Sequence, residues 1–346
     1  MNRYVRPNLF FLFFACFALY GPSARSQKHV PNIIFETDMG NDVDDALALD
    51  MIYKYLDRGQ VNLLAVNSNK QSKYSTEYIH LMNYWYGYPK IPIGKVIYGA
   101  ESENDAKKYA EHVCLMKNEQ GKPLFSRPKF NYDAVPDAVK LYRRILAKQP
   151  DTSVTIISVG FSTNIARLLQ TEPDSYSPLS GKELVAKKVK LLSVMAGSFG
   201  EVKPVREYNI VKDIPAAKLV AEQWPTPIVY APFEIGIEVQ YPGKSIENDF
   251  KWTPRHPVVE AYKFYLPMPY DRPTWDLLAL LYVMENAPKY FGMSPWGSVK
   301  IDEKGSSSFT PDPNGRRAYL TVSKDQAKTI LNRFIELITR KPAKLK

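Results

Sequence analysis

Apolar positions along the chain alternate between two patterns. Short apolar runs bounded by polar or turn-forming residues are typical of buried strands, and they occur at residues 30–35, 63–66, 91–94, 154–159, 189–195 and 228–231. Between them, apolar residues recur at helical spacing, which predicts helices at residues 47–56, 76–85, 138–146, 164–169, 215–222, 275–284 and 325–338. Strands that alternate with helices favour an α/β fold, an open and mostly parallel sheet flanked by helices.

Two segments depart from this alternation. Residues 99–130 are polar and irregular, which predicts an excursion over the surface. Residues 299–301 and 319–322 flank turn-forming residues and predict a late β-hairpin. No Gly/Ser-rich linker divides the chain, so residues 27–346 are predicted to form a single domain.

The N-terminal segment has the organisation of a secretory signal. Arg3 and Arg6 precede an apolar run at residues 9–20, and small residues at positions 24 and 26 suit cleavage before Gln27. The sequence therefore predicts a signal peptide at residues 1–26 and an exported protein, periplasmic or extracellular, with no membrane contact after cleavage. A membrane anchor is the alternative. The mature chain keeps one cysteine, Cys114, and so has no internal disulfide.

Composition and charge narrow the class of protein. Hydrophobic residues make up 45% of the chain and charged residues 24%, proportions that exclude wholesale disorder. The net charge of +10 could suggest a nucleic-acid partner. However, the basic residues are scattered and the densest charge cluster is acidic, so we interpret the excess as a solvated surface and predict no nucleic-acid partner.

The acidic cluster follows the first predicted strand directly and comprises Glu36, Asp38, Asp42, Asp44 and Asp45. Open parallel sheets bind ligands at the carboxyl ends of their strands. Crowded carboxylates repel one another unless a cation is present, and hard cations such as Ca²⁺ prefer several oxygen ligands. The cluster therefore predicts a divalent metal site. Helix capping, the alternative, explains one or two of these acids but not all of them.

The acidic segment resembles a known family motif. Residues 36–46 are similar to the Asp-x-Asp-Pro-Gly-x-Asp-Asp-Ala loop of the inosine-uridine-type nucleoside hydrolases, with Glu for the first Asp, Met for Pro and two extra residues. Further stretches resemble that family in the right order, at residues 154–164, 195–213 and 275–279. Asn69, after the second strand, is a weaker match.

This resemblance implies a site and a reaction. It implies Ca²⁺ held by Asp38, Asp45, Asp276 and the backbone carbonyl of Val159, with Asp38 as general base on a water that attacks the ribose anomeric carbon. The ion would also hold the ribose 2′- and 3′-hydroxyls. The implied substrate-binding residues are Asp44, Asn69, Met195, Glu207 and Asn209. The function implied is a secreted, Ca²⁺-dependent hydrolase that cleaves the N-glycosidic bond of a small nucleoside or riboside.

Several alternatives stay open. Asp38 matches the family base by its place at the strand end, whereas Asp42 matches by its distance from Gly40. We prefer Asp38, because insertions are absorbed in loops rather than strands. Asp42 either adds to the site or caps the helix. Trp275 stands where purine-active members carry a histidine, so no leaving-group acid is identified.

Other functions also remain open from the sequence. The scaffold is compatible with another ribosyl or glycosyl hydrolase, or with a non-catalytic nucleoside or sugar binder, and a homo-oligomer is left open.

Overall fold

The structure is a computed structural model that describes residues 30–100, 108–200, 205–285 and 288–344, together with Met1. Apart from Met1, the predicted signal peptide at residues 1–26 lies outside the described residues. In the described parts of the chain, no helix combines the length and the apolar character needed to cross a membrane.

Strands occur along the whole described chain. They are β1 (Asn32–Thr37), β2 (Asn62–Ser68), β3 (Ile93–Lys95), β4 (Val154–Ser158), β5 (Val189–Met195), β6 (Ile228–Ala231), β7 (Gln240–Tyr241), β8 (Arg272–Pro273), β9 (Gly292–Met293), β10 (Gly297–Ile301), β11 (Ser307–Pro311) and β12 (Arg317–Thr321).

Most of these strands join one large sheet. Its order is β11-β10-β12-β6-β5-β4-β1-β2-β3, with β9 paired to β12, while β7 and β8 form a separate antiparallel pair. From β12 to β3 every neighbouring pair is parallel. The mostly parallel open sheet predicted from the sequence is therefore confirmed.

The strand order reverses between β1 and β4. From β1 the chain runs outward to β2 and β3 at one edge, then returns to β4 and continues to β5 and β6 on the other side. At such a reversal the connections after the two central strands diverge, and the crevice left at their carboxyl ends is where ligands bind in this class of sheet. The loops after Thr37 and Ser158 face that crevice.

Helices cover both faces of the sheet, as expected for strands connected by crossovers. They are α1 (Asp44–Asp57), α2 (Lys73–Trp85), α3 (Tyr109–Leu115), α4 (Ala138–Leu146), α5 (Thr163–Leu169), α6 (Gly181–Lys188), α7 (Tyr208–Lys212), α8 (Ile214–Gln223), α9 (Phe233–Glu238), α10 (Gly243–Asn248), α11 (Pro257–Tyr265), α12 (Trp275–Glu285) and α13 (Lys324–Ile338).

Two apolar clusters lie on opposite sides of the sheet. Ile33 and Phe35 of β1 pack in one cluster, with α1, α2, α11, α12 and α13, whereas Ile34 packs in the other, with α4, α5, α6 and α8. This alternation follows from the two-residue period of a strand. Because both faces of the sheet are buried here, the central residues of β1, 33–35, are all apolar rather than alternating with polar ones.

Two sequence predictions need correction in detail. Residues 299–301 do form a late hairpin, but their partner is β11 rather than residues 319–322. The latter residues fall largely in β12, which pairs in parallel with β6 and extends the sheet. In the segment 99–130, predicted to be irregular, residues 109–115 form α3.

Candidate active site

The loops at the reversal of strand order enclose a cavity of about 100 Å³. This space is large enough for a sugar ring, and it is open to solvent on one side. The lining residues are Asp38, Asp42, Asp44, Asp45, Val159, Met195, Glu207, Tyr208, Asn209, Phe233, Trp275 and Asp276.

Three buried carboxylates converge at this cavity. One oxygen from each of Asp44, Asp45 and Asp276 lies within 4.8 Å of the other two. Asp44 and Asp45 open α1 and Asp276 lies in the first turn of α12, and these two helices pack against each other. The trio is held in place by the Thr37 hydroxyl, which donates to Asp45, and by the Asp276 amide, which donates to Asp44 Oδ2 at 3.1 Å.

The electrostatics of the trio fit a divalent cation. Burial raises the pKa of Asp44, Asp45 and Asp276 well above the usual value for an aspartate, and repulsion between neighbouring carboxylates adds to the rise. Hard cations are bound by several carboxylate oxygens together. A divalent ion on this donor set would offset both the burial and the repulsion. Asp44, Asp45 and Asp276 are the residues placed to hold it.

Asp38 lines the same cavity, where it is held by its own loop. Its Oδ2 accepts a hydrogen bond from Asn41 Nδ2 at 2.6 Å, and the side-chain oxygen Oδ1 of Asn41 accepts one from the Lys70 ammonium at 2.6 Å. Burial raises the pKa of Asp38 to about 6, and the Lys70 charge opposes that rise. A carboxylate with this pKa is ionised at neutral pH and can accept a proton from a bound water.

A glycine brings the loop after β4 close to Asp38. A Cβ on Gly160 would lie 2.7 Å from both the backbone nitrogen and Oδ1 of Asp38. Only glycine permits that approach. Glycine at position 160, within the matched stretch at residues 154–164, therefore allows the loop after β4 to pack against Asp38 and reach the cavity.

Asp42 also lines the cavity, but it does not cap a helix. The N-cap of α1 is Val43 and makes no side-chain capping bond. The Asp42 carboxylate instead pairs with Arg272, whose Nε donates to Oδ1 at 2.8 Å and whose Nη2 contacts Oδ2. The Tyr109 hydroxyl of α3 fixes the same loop, since it accepts from the Gly40 amide and donates to the Asp42 carbonyl, each at 2.9 Å.

The opposite wall is built around Glu207 and Asn209. Glu207 is the N-cap of α7 and accepts hydrogen bonds from the backbone amides of Asn209, Ile210 and Gly197, while burial raises its pKa to about 7. The Asn209 amide donates to the carbonyls of Val159 and Met195, at 3.2 and 3.1 Å. A carbonyl oxygen has two lone pairs, so the Val159 carbonyl keeps one for a further ligand.

Glu36 and Asn69 lie behind the cavity rather than in its lining. The buried Glu36 carboxylate accepts from the Asn69 amide at 3.3 Å and from the Asn164 amide at 3.2 Å. Burial raises its pKa to about 8, against the effect of these donors. The structure thus gives Asn69 a contact with Glu36 that ties the loop after β2 to β1.

Aromatic side chains form the remaining wall. The indole of Trp275 stacks on Phe233 with ring centroids 5.6 Å apart, and its N–H donates to the Phe233 carbonyl at 2.8 Å. Tyr208, which stands between Glu207 and Asn209 in the sequence, lines the same cavity. A flat aromatic surface beside a sugar-sized space suits a planar ring attached to that sugar.

The structure brings nearly all the predicted site residues to one cavity. Asn69 is the exception. Sequence reasoning missed Arg272, Asn41, Tyr109, Tyr208 and Phe233. A signal was present for two of these, because Asn41 lies inside the acidic motif and Tyr208 stands between Glu207 and Asn209. For Tyr109 and Phe233 the sequence carries no comparable signal.

The fold and this site define a class of α/β proteins with a carboxylate-lined pocket at the carboxyl ends of parallel strands. A sequence model of the family described as "Inosine-uridine preferring nucleoside hydrolase" matches residues 33–333. The chain belongs to this family, and the resemblance seen in its acidic loop is confirmed. The family also supports the prediction of a nucleoside N-ribohydrolase.

Individual relatives agree with this assignment. The chain is 29% identical over 128 residues to the pyrimidine-specific ribonucleoside hydrolase RihA of Enterobacter sp. (strain 638), an alignment that spans 36% of this chain and 37% of that protein. A plant nucleoside hydrolase, PpNRh1, superposes with a TM-score of 0.64 at 19% identity over 88% of this chain and 99% of its own.

A second solved structure shares the same fold. The purine-preferring ribonucleoside hydrolase from Gardnerella vaginalis superposes with a TM-score of 0.67 at 16% identity over 89% of this chain and 98% of its own. At these identities the structural matches show the fold alone.

Proposed function

We propose that this chain is an exported, Ca²⁺-dependent N-ribohydrolase that cleaves the N-glycosidic bond of ribonucleosides. The observation that carries the proposal is the convergence of Asp44, Asp45 and Asp276 beside Asp38 in one buried cavity. Export is proposed from the signal-like residues 1–26. The cavity suits a pentose, which is the part of a nucleoside that the reaction acts on.

Asp38 is proposed to be the general base. Its carboxylate takes a proton from a water molecule as that water attacks the anomeric carbon. The bond from that carbon to the nucleobase breaks in the same reaction. The Asn41 amide, itself held by Lys70, orients the Asp38 carboxylate before substrate arrives. Fixing the Asp38 carboxylate in this way removes part of the entropy cost of reaching the transition state.

The remaining carboxylates act on the sugar. Bond cleavage passes through an oxocarbenium-like state, and the surrounding carboxylates stabilise its positive charge. A divalent ion bound by Asp44, Asp45 and Asp276, with Asp38 and the Val159 carbonyl as the further ligands implied by the family resemblance, would supply Lewis acidity and ribose-hydroxyl binding. Glu207 and Asn209 lie on the facing wall and are proposed to contact the ribose hydroxyls, with Met195 beside them.

The leaving-group side of the cavity offers stacking rather than an evident acid. The Trp275 N–H is already bonded to the Phe233 carbonyl. The three histidines in the described part of the chain, His80, His112 and His256, do not line the cavity. We therefore propose weak activity on inosine and better activity on p-nitrophenyl riboside, whose leaving group needs no proton.

One experiment separates the proposed functions. Ribose release is measured for inosine, uridine, cytidine and p-nitrophenyl riboside, with Ca²⁺ and with chelator. The ratio of kcat/KM between inosine and the activated riboside isolates the leaving-group contribution, because sugar contacts serve both substrates. Comparable rates on the two would refute the leaving-group proposal. Tight binding without release from any substrate would favour a non-catalytic binder.

A further inference from the structure

The extra residues of the acidic loop make a contact that links the two segments carrying the carboxylate trio. Asp42 pairs with Arg272 through two contacts, Nε to Oδ1 at 2.8 Å and Nη2 to Oδ2. Asp42 lies two residues before Asp44, and Arg272 lies four residues before Asp276. The ion pair therefore bridges the loop after β1 and the segment that leads into α12.

Both sides of this bridge are stiff. The Tyr109 hydroxyl binds the backbone of the acidic loop at two points. On the other side, Pro273 follows Arg272, and Thr274 donates through its amide and its hydroxyl to the Val239 carbonyl, at 3.1 and 2.7 Å. A displacement at Arg272 or Asp42 is thus transmitted to the neighbouring carboxylates rather than absorbed by a flexible loop.

Two aromatic side chains, Tyr265 and Trp275, also hold the Arg272 guanidinium. Its Cζ lies 5.2 Å from the ring centroid of Tyr265 and 5.4 Å from that of Trp275, and its Nη2 donates to the Tyr265 hydroxyl at 3.1 Å. A planar guanidinium suits such a site, because it stacks on rings and binds a carboxylate through two nitrogens, which lysine does not.

We propose that the Asp42–Arg272 ion pair is a positioning element that brings Asp44 and Asp45 into register with Asp276, so that the three can bind one divalent cation. This inference rests on the proposed metal site. It assigns Arg272 to no direct role in the reaction. The pair acts through the trio, as the outer contacts of metal ligands do, and losing such a contact typically costs about 10- to 100-fold in metal affinity or activity.

A simple charge effect predicts a different pattern. Arg272→Met removes a positive charge near the trio, which by charge alone would strengthen cation binding. Asp42→Asn removes a negative charge and by charge alone would weaken it. If the pair acts by position, both variants weaken cation binding. Arg272→Met is therefore the informative variant, because the two explanations predict opposite signs.

A matched control exists on another part of the molecule. Arg333 pairs with Glu285 at 2.7 Å, and their side chains are 19% and 23% exposed, close to the 22% and 26% of Arg272 and Asp42. Neither Arg333 nor Glu285 lines the acidic cavity. Arg333→Met removes this ion pair of similar burial together with a second, more exposed contact to Glu336 at 2.7 Å, so it reports at least the general effect of losing such a pair.

The test is calcium titration of chelator-stripped protein by calorimetry, for the wild type and the variants. We expect Arg272→Met to raise the Kd for Ca²⁺ by about 10-fold or more. The Kd of Arg272→Lys should lie between that value and the wild-type value, and the Kd of Arg333→Met should equal that of the wild type. In hydrolysis assays, added Ca²⁺ should restore kcat in Arg272→Met, because the defect lies in the affinity for the cation.

The outcomes distinguish this inference from the proposed function. If the wild type does not bind Ca²⁺, the calcium proposal fails and the role of the pair fails with it. If the wild type binds and Arg272→Met binds equally or more tightly, the positioning inference alone is overturned. If Arg272→Met does not fold, Arg272→Lys decides, because lysine keeps the charge but cannot contact the carboxylate through two nitrogens. An unchanged affinity of Arg272→Lys for Ca²⁺ would also overturn the inference.

Discussion

The aromatic wall depends on a glycine, and changing that glycine gives a sharp test of the site's geometry. A Cβ at Gly236, in α9, would lie 2.0 Å from Cδ1 of Trp275 and 2.5 Å from its Cγ and Nε1. Optimal carbon contacts are about 3.5–4.0 Å. In Gly236→Ala the indole must therefore move by about 1 Å or more, away from its stacking and hydrogen-bonding position on Phe233.

The expected magnitude combines opposing effects. Gly236 is not among the positive-φ glycines, so alanine brings no backbone strain and, by helix propensity alone, would stabilise by up to about 1 kcal/mol. Overpacking costs about 1–3 kcal/mol. Loss of the indole hydrogen bond costs about 1 kcal/mol and loss of the ring stack about 0.5–1.5 kcal/mol. We expect a net destabilisation of about 2–5 kcal/mol, with overpacking as the dominant contribution.

The assay is a double-mutant cycle with Trp275→Ala, followed by thermal unfolding and by steady-state hydrolysis. With the indole removed, Gly236→Ala should be neutral or stabilising. With the indole present, the Tm should fall and the KM for a nucleoside should rise, while the Kd for Ca²⁺ stays unchanged. If Gly236→Ala is equally harmless in both backgrounds, the placement of Trp275 against α9, and with it the aromatic wall, is refuted.

Three further predictions concern named residues. At saturating Ca²⁺, Asp38→Asn should lower kcat by at least about 10²-fold while Asp42→Asn does not, and the reverse result would show that Asp42 is the base. Burial raises the pKa of Asp50 to about 7, against the opposing charge of Lys54. Folding therefore favours the protonated form of Asp50. The contribution of this group to the free energy of unfolding is lost as the pH rises toward and through 7. The Tm of the wild type relative to Asp50→Asn should accordingly decline from pH 5 to pH 8, and a pH-independent difference would contradict this. Arg143 is buried and bonds Asp174, Thr171 and two carbonyls. Because Asp174 is itself exposed, the loss falls mainly on the buried carbonyls and the Thr171 hydroxyl, and Arg143→Met should cost about 1–3 kcal/mol in denaturant unfolding, whereas a loss below about 0.5 kcal/mol would show that the network contributes little.

The central sheet and its ligand edge could be predicted because they depend on local patterns. A run such as Ile33-Ile34-Phe35 needs apolar surroundings on both faces, and that requirement alone predicts a buried parallel strand. The acidic residues follow such a strand directly. The reversal of strand order between β1 and β4 then places Val159 beside them, so residues far apart in sequence meet at one edge.

The contacts that hold the site together could not be predicted in the same way. Asp42 and Arg272 are separated by 230 positions, and nothing in either local sequence indicates a partner. Asp44, predicted to bind the sugar, also lies in the trio, where the Asp276 amide donates to its carboxylate, and nothing in the local sequence indicates that contact. The hairpin partner was mispredicted because β11 is a mostly exposed strand with little apolar signal, whereas the apolar residues of β12 are buried beside β6.

The most direct test of the central claim is ribose release by the mature chain after stripping with chelator, before and after Ca²⁺ is restored. p-Nitrophenyl riboside is the probe, because its cleavage needs the sugar half of the site but no leaving-group acid. The account predicts negligible release from the stripped protein, recovery with Ca²⁺, and no recovery in Asp38→Asn. Equal release with and without Ca²⁺, or full recovery in Asp38→Asn, would contradict it.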